Sequence, residues 1–139
     1  IKEPSEVVQL QAVQENYLAL RYINEPSVAV LEAAVKQDPQ AMRQITNLSK
    51  ELALYLFKVS APILGYIPNT LGVTVDEIKS IIVEAISSDN IDADYVRELI
   101  NNKAIGGRQS KWPIDLLSLI DAYGTRAVKK IAVGEYLKY

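Results

Sequence analysis

The chain has 139 residues, 49% of them hydrophobic and 23% charged, which suits one compact domain or a short helical array with a packed core. Six Gly and six Pro are too few for a disordered chain, and a net charge of −2 favours neither nucleic acid nor membrane as a partner of the whole chain. With no Cys and no His, disulfides, thiol nucleophiles, Cys/His zinc sites and His-based catalytic triads are excluded.

From the N-terminus the sequence repeats with a period of 22. Residues 2–23 and 24–45 are identical at nine of 22 positions, where unrelated segments would share about one or two. Residues 46–67 keep fewer identities but the same apolar columns. Ser5, Ser27 and Ser49 each precede a helix-like run, where a hydroxyl can accept a hydrogen bond from a free backbone N–H. Pro4 and Pro26 stand before the first two serines and discourage helix from upstream. Val8, Val30 and Leu52, then Ala12, Ala34 and Leu56, then Val13, Val35 and Phe57 form one apolar stripe on a helix of about three turns. Asn16, Asp38 and Ser60 make a second column of caps, and Pro39 follows its cap at the first helical position. A shorter helix follows in each unit, with Ala19, Ala41 and Ile63, Leu20, Met42 and Leu64, and Ile23, Ile45 and Ile67 facing inward. Val35, Phe57, Ile45 and Ile67 are expected to be almost fully buried.

Each unit is thus predicted to be two short helices that cannot bury their stripes alone, so neighbours must stack. Ile1 stands one period before Ile23, and the visible chain is expected to open on the last residue of an earlier unit, with repeats continuing upstream. The pattern P-S-x-x-V-x-x-x-A-V-x-x-x-x-x-A-L/M-R-x-I resembles a short helical repeat of unknown function seen in phage and protist proteins. It is distantly similar to HEAT-like and leucine-rich-variant solenoids. The resemblance covers residues 2–67. It implies an α-solenoid with a habit of binding macromolecules, in a phage protein acting in host cytoplasm, and it carries no catalytic residues.

After Ile67 the period breaks at the loop 68–73. Thr74 and Glu77 read as a capping box for a helix of about 75–87, with Ile78, Ile81, Ile82 and Ala85 as its buried stripe. Asp92 starts a helix of about 93–102, Pro113 opens one of about 113–122, and Thr125 caps a last helix that runs to about 138. No segment alternates with period two long enough to propose a sheet. The fold class read from the sequence is all-α: a solenoid of three two-helix units over 1–67, closed by a C-terminal helical cap over 68–139.

Two groups of residues stand out. In the repeats, Arg21 and Arg43 share a column ended by Gly65, Tyr22 and Tyr66 share one with Gln44, and Lys36 and Lys58 share one with Gln14. Packing does not require these side chains, stacked units place like positions about 10 Å apart, and Tyr and Arg are favoured at contact hot spots. They are the candidate surface for a protein partner. The second group is basic. Residues 1–96 hold seven Lys/Arg and thirteen Asp/Glu, a charge of −6, whereas 97–139 hold eight and four, a charge of +4. Arg108 and Lys111 lie on a loop, and Arg126, Lys129 and Lys130 fall on one helix face. With Trp112 they form the alternative, a nucleic-acid surface, although the chain carries no familiar RNA- or DNA-binding motif. If the last helices run antiparallel, the two basic groups stand about a helix length apart. The acidic run 89–94 lacks the Gly and late Glu of a calcium loop, and Gly106 and Gly107 lack the Lys-Ser/Thr of a phosphate loop. No cofactor, metal or catalytic residue is expected, and the absence of any run of 18 apolar residues gives no membrane span. The reading is a non-enzymatic interaction scaffold.

Overall fold

A computed structural model describes residues 5–106 and 110–137. Its chain falls into two compact units, Ile1–Leu71 and Gly72–Tyr139. Among the described residues the structure is helical without a strand, and one isolated β-bridge joins Ile105 to Trp112. None of its helices is long and apolar enough to cross a membrane.

In the first unit an α-helix of ten residues is followed three times by a 3-10 helix of six. These pairs are α1 (Glu6–Glu15) with Tyr17–Tyr22, α2 (Val28–Gln37) with Pro39–Gln44, and α3 (Lys50–Val59) with Ala61–Tyr66. Ser5, Ser27 and Ser49 cap the three α-helices, each hydroxyl accepting from the backbone N–H three residues on. α1 packs on α2 and α2 on α3, and the first 3-10 helix packs on the second and the second on the third. A further 3-10 turn, Asn69–Leu71, closes the unit before Gly72, whose φ of 73° favours glycine.

The joints explain why the second helices are 3-10. Asn16, Asp38 and Ser60 are each extended, with φ of −156°, −159° and −143°. The N–H of each donates to the carbonyl four residues back (Ala12, Ala34, Leu56) and ends the α-helix. The carbonyl of each then accepts from the N–H three residues on (Ala19, Ala41, Ile63), which sets the tighter turn. The Asn16 and Asp38 side chains also accept from the N–H two residues on. Pro39 and Pro62 sit in the first positions, where a missing N–H is harmless. One residue therefore serves as the end of one helix and the start of the next. An ordinary α-helix and a 3-10 helix of six residues bury nearly the same positions, so the apolar columns alone did not separate them.

Val35, Phe57 and Ile67 are buried, and Phe57 is among the largest side chains fully removed from solvent. Ile45 departs from expectation: it is only half-buried, because it lines an open groove.

The second unit holds α4 (Val75–Ser87), α5 (Ala93–Ile100), α6 (Leu116–Tyr123) and α7 (Arg126–Tyr136). α4 packs on α6, α5 on α7, and α6 on α7. Thr74 and Glu77 make the expected capping box. The buried stripe of α4 is Ile78, Ile81, Ile82 and Ile86, whereas Ala85 is half-buried. Residue 86 follows 82 by one helical step and carries the larger apolar group, so it takes the core. α6 starts at Leu116 rather than at Pro113. Asp115 is the stronger cap: its carboxylate accepts from the Ser118 N–H at 3.1 Å and the Ser118 hydroxyl at 2.8 Å. Those bonds, the backbone one first, hold the Asp115 carboxyl below its usual range. Pro113 instead sits at the centre of a tight turn, closed by the Ile114 N–H donating to the Trp112 carbonyl at 2.8 Å, that buries Trp112 and Ile114.

Candidate functional site

The repeat places its polar side chains on a diagonal. Arg21 Nε donates to Gln44 Oε1 at 3.0 Å. The Arg43 guanidinium lies over the Tyr66 ring, 5.3 Å from its centre, a cation–π distance. The Tyr55 hydroxyl donates to Glu32, and this hydrogen bond is the main cause that raises its pKa. All three pairs are 23 residues apart, one period plus one residue. Like positions in neighbouring units therefore do not meet in these contacts; each meets the residue after its counterpart. A fourth link, the Tyr17 N–H to Gln37 Oε1 at 3.0 Å, also ties the first repeat to the second.

Arg21 and Arg43 come together on one feature. Both line a groove of 860 Å³ between the ends of the first two 3-10 helices and the loops that follow them. Leu20, Leu31 and Leu52 give it an apolar lining, and Asn24 and Asn47 supply amides. Glu25 is the one carboxylate among its described lining residues, held at a φ of 49° that non-glycine residues seldom adopt. Among the described residues neither Arg21 nor Arg43 is in a salt bridge. Each guanidinium is held by a neutral partner, Gln44 for Arg21 and the Tyr66 ring for Arg43.

The other repeat candidates lie off the groove lining. Tyr66 is half-buried beneath Arg43, while Tyr22 is 83% exposed. Lys36 and Lys58 are exposed in the last turns of α2 and α3, where a cation suits the helix dipole. Gln44 stands in the repeat column of Tyr22 and Tyr66, whereas nothing in the sequence singled out the Glu32–Tyr55 pair or the two asparagines. The 23-residue offset was written in the sequence but is visible only once the direction of the stacking is known.

In the second unit, Arg126, Lys129 and Lys130 are exposed on the first turns of α7. Lys111 is exposed as a residue, yet partial burial of its amine lowers its pKa. Arg108 lies outside the described residues. Asn101, Pro113 and Asp115 lie at the far end of α7. Asn101 Nδ2 donates to Glu135 Oε1 at 3.0 Å, and Tyr136 lines a cavity of 570 Å³ with Asp115 and Pro113. Burial first, and the Asp115 charge second, raise the Tyr136 pKa. Residues 126 and 136 are separated by about 15 Å of helix. The basic turns of α7 thus lie toward the opposite end of the helix from Asn101, Pro113 and Asp115.

Comparison with protein-family models, with curated proteins and with solved structures yields no match for this chain.

Proposed function

We propose that the repeats form a solenoid that acts as a non-enzymatic scaffold, and that the groove at Arg21 and Arg43 takes an acidic, partly aliphatic segment of a protein partner. The observation that carries this reading is the pair of guanidiniums on consecutive units, each held by a neutral group beside an apolar groove. A carboxylate can accept two parallel hydrogen bonds from a guanidinium, and a leucine-sized side chain next to it removes apolar area from water. The groove volume falls within the range of ligand-holding clefts, about 300–1,000 Å³. Because the arginines are already oriented, little side-chain entropy is left to lose on binding.

Fluorescence polarisation of the whole chain against a library of acidic peptides interleaved with Leu and Ile tests the proposal. Bound peptides should lose roughly tenfold in affinity with Arg21→Ala and again with Arg43→Ala, about 1.4 kcal/mol each. Nucleic-acid binding is the competing outcome. If labelled single-stranded DNA or RNA binds instead, with a steep loss as salt rises and abolition by Arg126→Glu with Lys129→Glu and Lys130→Glu, the groove is not the site.

A further inference from the structure

The cavity of 570 Å³ in the second unit has an apolar wall and a charged rim. Leu99, Ile114 and Leu116 are buried side chains of the wall, and Ile105 and Leu117 extend it toward solvent. Asp115 is the one charged side chain among its described lining residues, and neither Lys103 nor Lys111 belongs to that lining. Each oxygen of the Asp115 carboxylate accepts one bond from Ser118 and keeps a further acceptor site. Among the described residues the carboxylate is in no salt bridge. Tyr136 stands near enough for the Asp115 charge to add to burial in raising its pKa, so its phenol is neutral and its oxygen can accept.

Helix ends reinforce the sign of that charge. α5 ends at Ile100 and α7 at Tyr136, and both residues line the cavity, as does Leu116 at the start of α6. A helix carries about half a negative elementary charge at its C-terminus and about half a positive one at its N-terminus. The α6 start therefore offsets one C-terminus, while the other adds to the full charge of Asp115. A second carboxylate, Glu135, stands beside the lining, bonded to Asn101. The cavity is thus set to attract a cation and to repel an anion.

We infer that this cavity binds a small primary amine with an apolar body, its ammonium at Asp115 and Tyr136 and its body against Leu99, Ile105, Ile114 and Leu117. A primary ammonium offers three N–H donors, which suit the free acceptor sites of a carboxylate and a phenol. The volume falls within the range of small-molecule clefts, about 300–1,000 Å³. Asp115 and Tyr136 are exposed, and an exposed ion pair contributes little. The apolar body therefore supplies most of the affinity, and the charge selects the ligand. The site is independent of the groove at Arg21 and Arg43.

Nuclear magnetic resonance titration of the whole chain with phenylbutylamine, phenylbutanol and phenylbutyrate tests the inference. The amine should bind with a Kd on the order of 1 mM or tighter. It should bind about fivefold more tightly than the alcohol, and the acid should bind most weakly. Shifts should centre on Leu99, Asn102, Ile105 and Leu117. Asp115→Asn keeps a good helix cap and removes the charge. It should cut the affinity for the amine about fivefold and leave the affinity for the alcohol unchanged. Equal losses for both ligands would mean that Asp115 only shapes the start of α6, and the inference would fall. It would fall equally if the amine showed no preference over the alcohol, if it did not bind, or if the shifts centred on the groove of the first unit.

Discussion

A Cβ built on Gly124 would lie 2.5 Å from the Ile120 carbonyl oxygen, closer than any real contact allows. The glycine is not there for its dihedral angles, since its φ is −68°. It is there because its own N–H reaches the Ile120 carbonyl at 2.8 Å and the next N–H, of Thr125, reaches the Ile86 carbonyl at 3.1 Å. The chain turns from α6 into α7 in that space. Gly124→Ala should therefore destabilise the protein by about 1–3 kcal/mol, the usual cost of overpacking. Gly134 provides the contrast: it lies in α7 with open space around it, and Gly134→Ala should stabilise by about 0.5–1 kcal/mol. Urea titration of both variants checks the pair, and equal effects would refute the packing argument. Gly124 was legible as a helix break. The backbone oxygen that forbids a side chain there was not, because that contact belongs to the turn and not to the alphabet of propensities.

At the scale of the element, the caps and apolar columns of the repeat carried most of the information. The serine caps sit where the period put them, and apart from the half-buried Ile45 and Leu52 the inward columns of the second and third repeats are buried. Phe57→Ala should cost roughly 3–5 kcal/mol, because the ring is fully buried and its removal leaves a cavity. A loss below about 1 kcal/mol in thermal or urea unfolding would mean that the column is not core. What the sequence hid at this scale were choices between similar options. A six-residue apolar run fits three or nearly four residues per turn equally well, and the extended cap residue decided for the tighter helix. At the start of α6, Pro113 is the expected opening residue, but the Asp115 carboxylate with its two Ser118 bonds caps the helix instead. The candidate binding residues were half legible for a related reason. Their columns were plain, but which of them share a groove depends on the one-residue offset between neighbours.

For the whole molecule, the response to pH follows from Tyr95. Burial, and then the charge of Glu98, push its phenol well above the ordinary value of 10.0. The neutral form is favoured in the folded chain, while the unfolded chain ionises normally. The contribution of Tyr95 is therefore complete below pH 10 and declines as pH rises above it. Thermal melts between pH 8 and pH 11.5 should show a loss that steepens above about pH 10, and Tyr95→Phe should flatten it. A slope unchanged by that substitution would place the alkaline sensitivity elsewhere. The division of charge between −6 and +4 was plain in the sequence. Among the described basic residues of that half, Arg126, Lys129 and Lys130 are exposed on the first turns of α7.

The shared cap residues at positions 16, 38 and 60 also govern how this chain can change its length. A conventional linker has slack, and one residue more or less alters only the path of the loop. Here the same peptide unit closes one helix and opens the next, so a single insertion at that point would disrupt both at once. Insertion of a complete period leaves every joint as it was. Heritable growth or shrinkage of this half should proceed in whole-unit steps, with tolerated small insertions confined to the loops that follow the 3-10 helices.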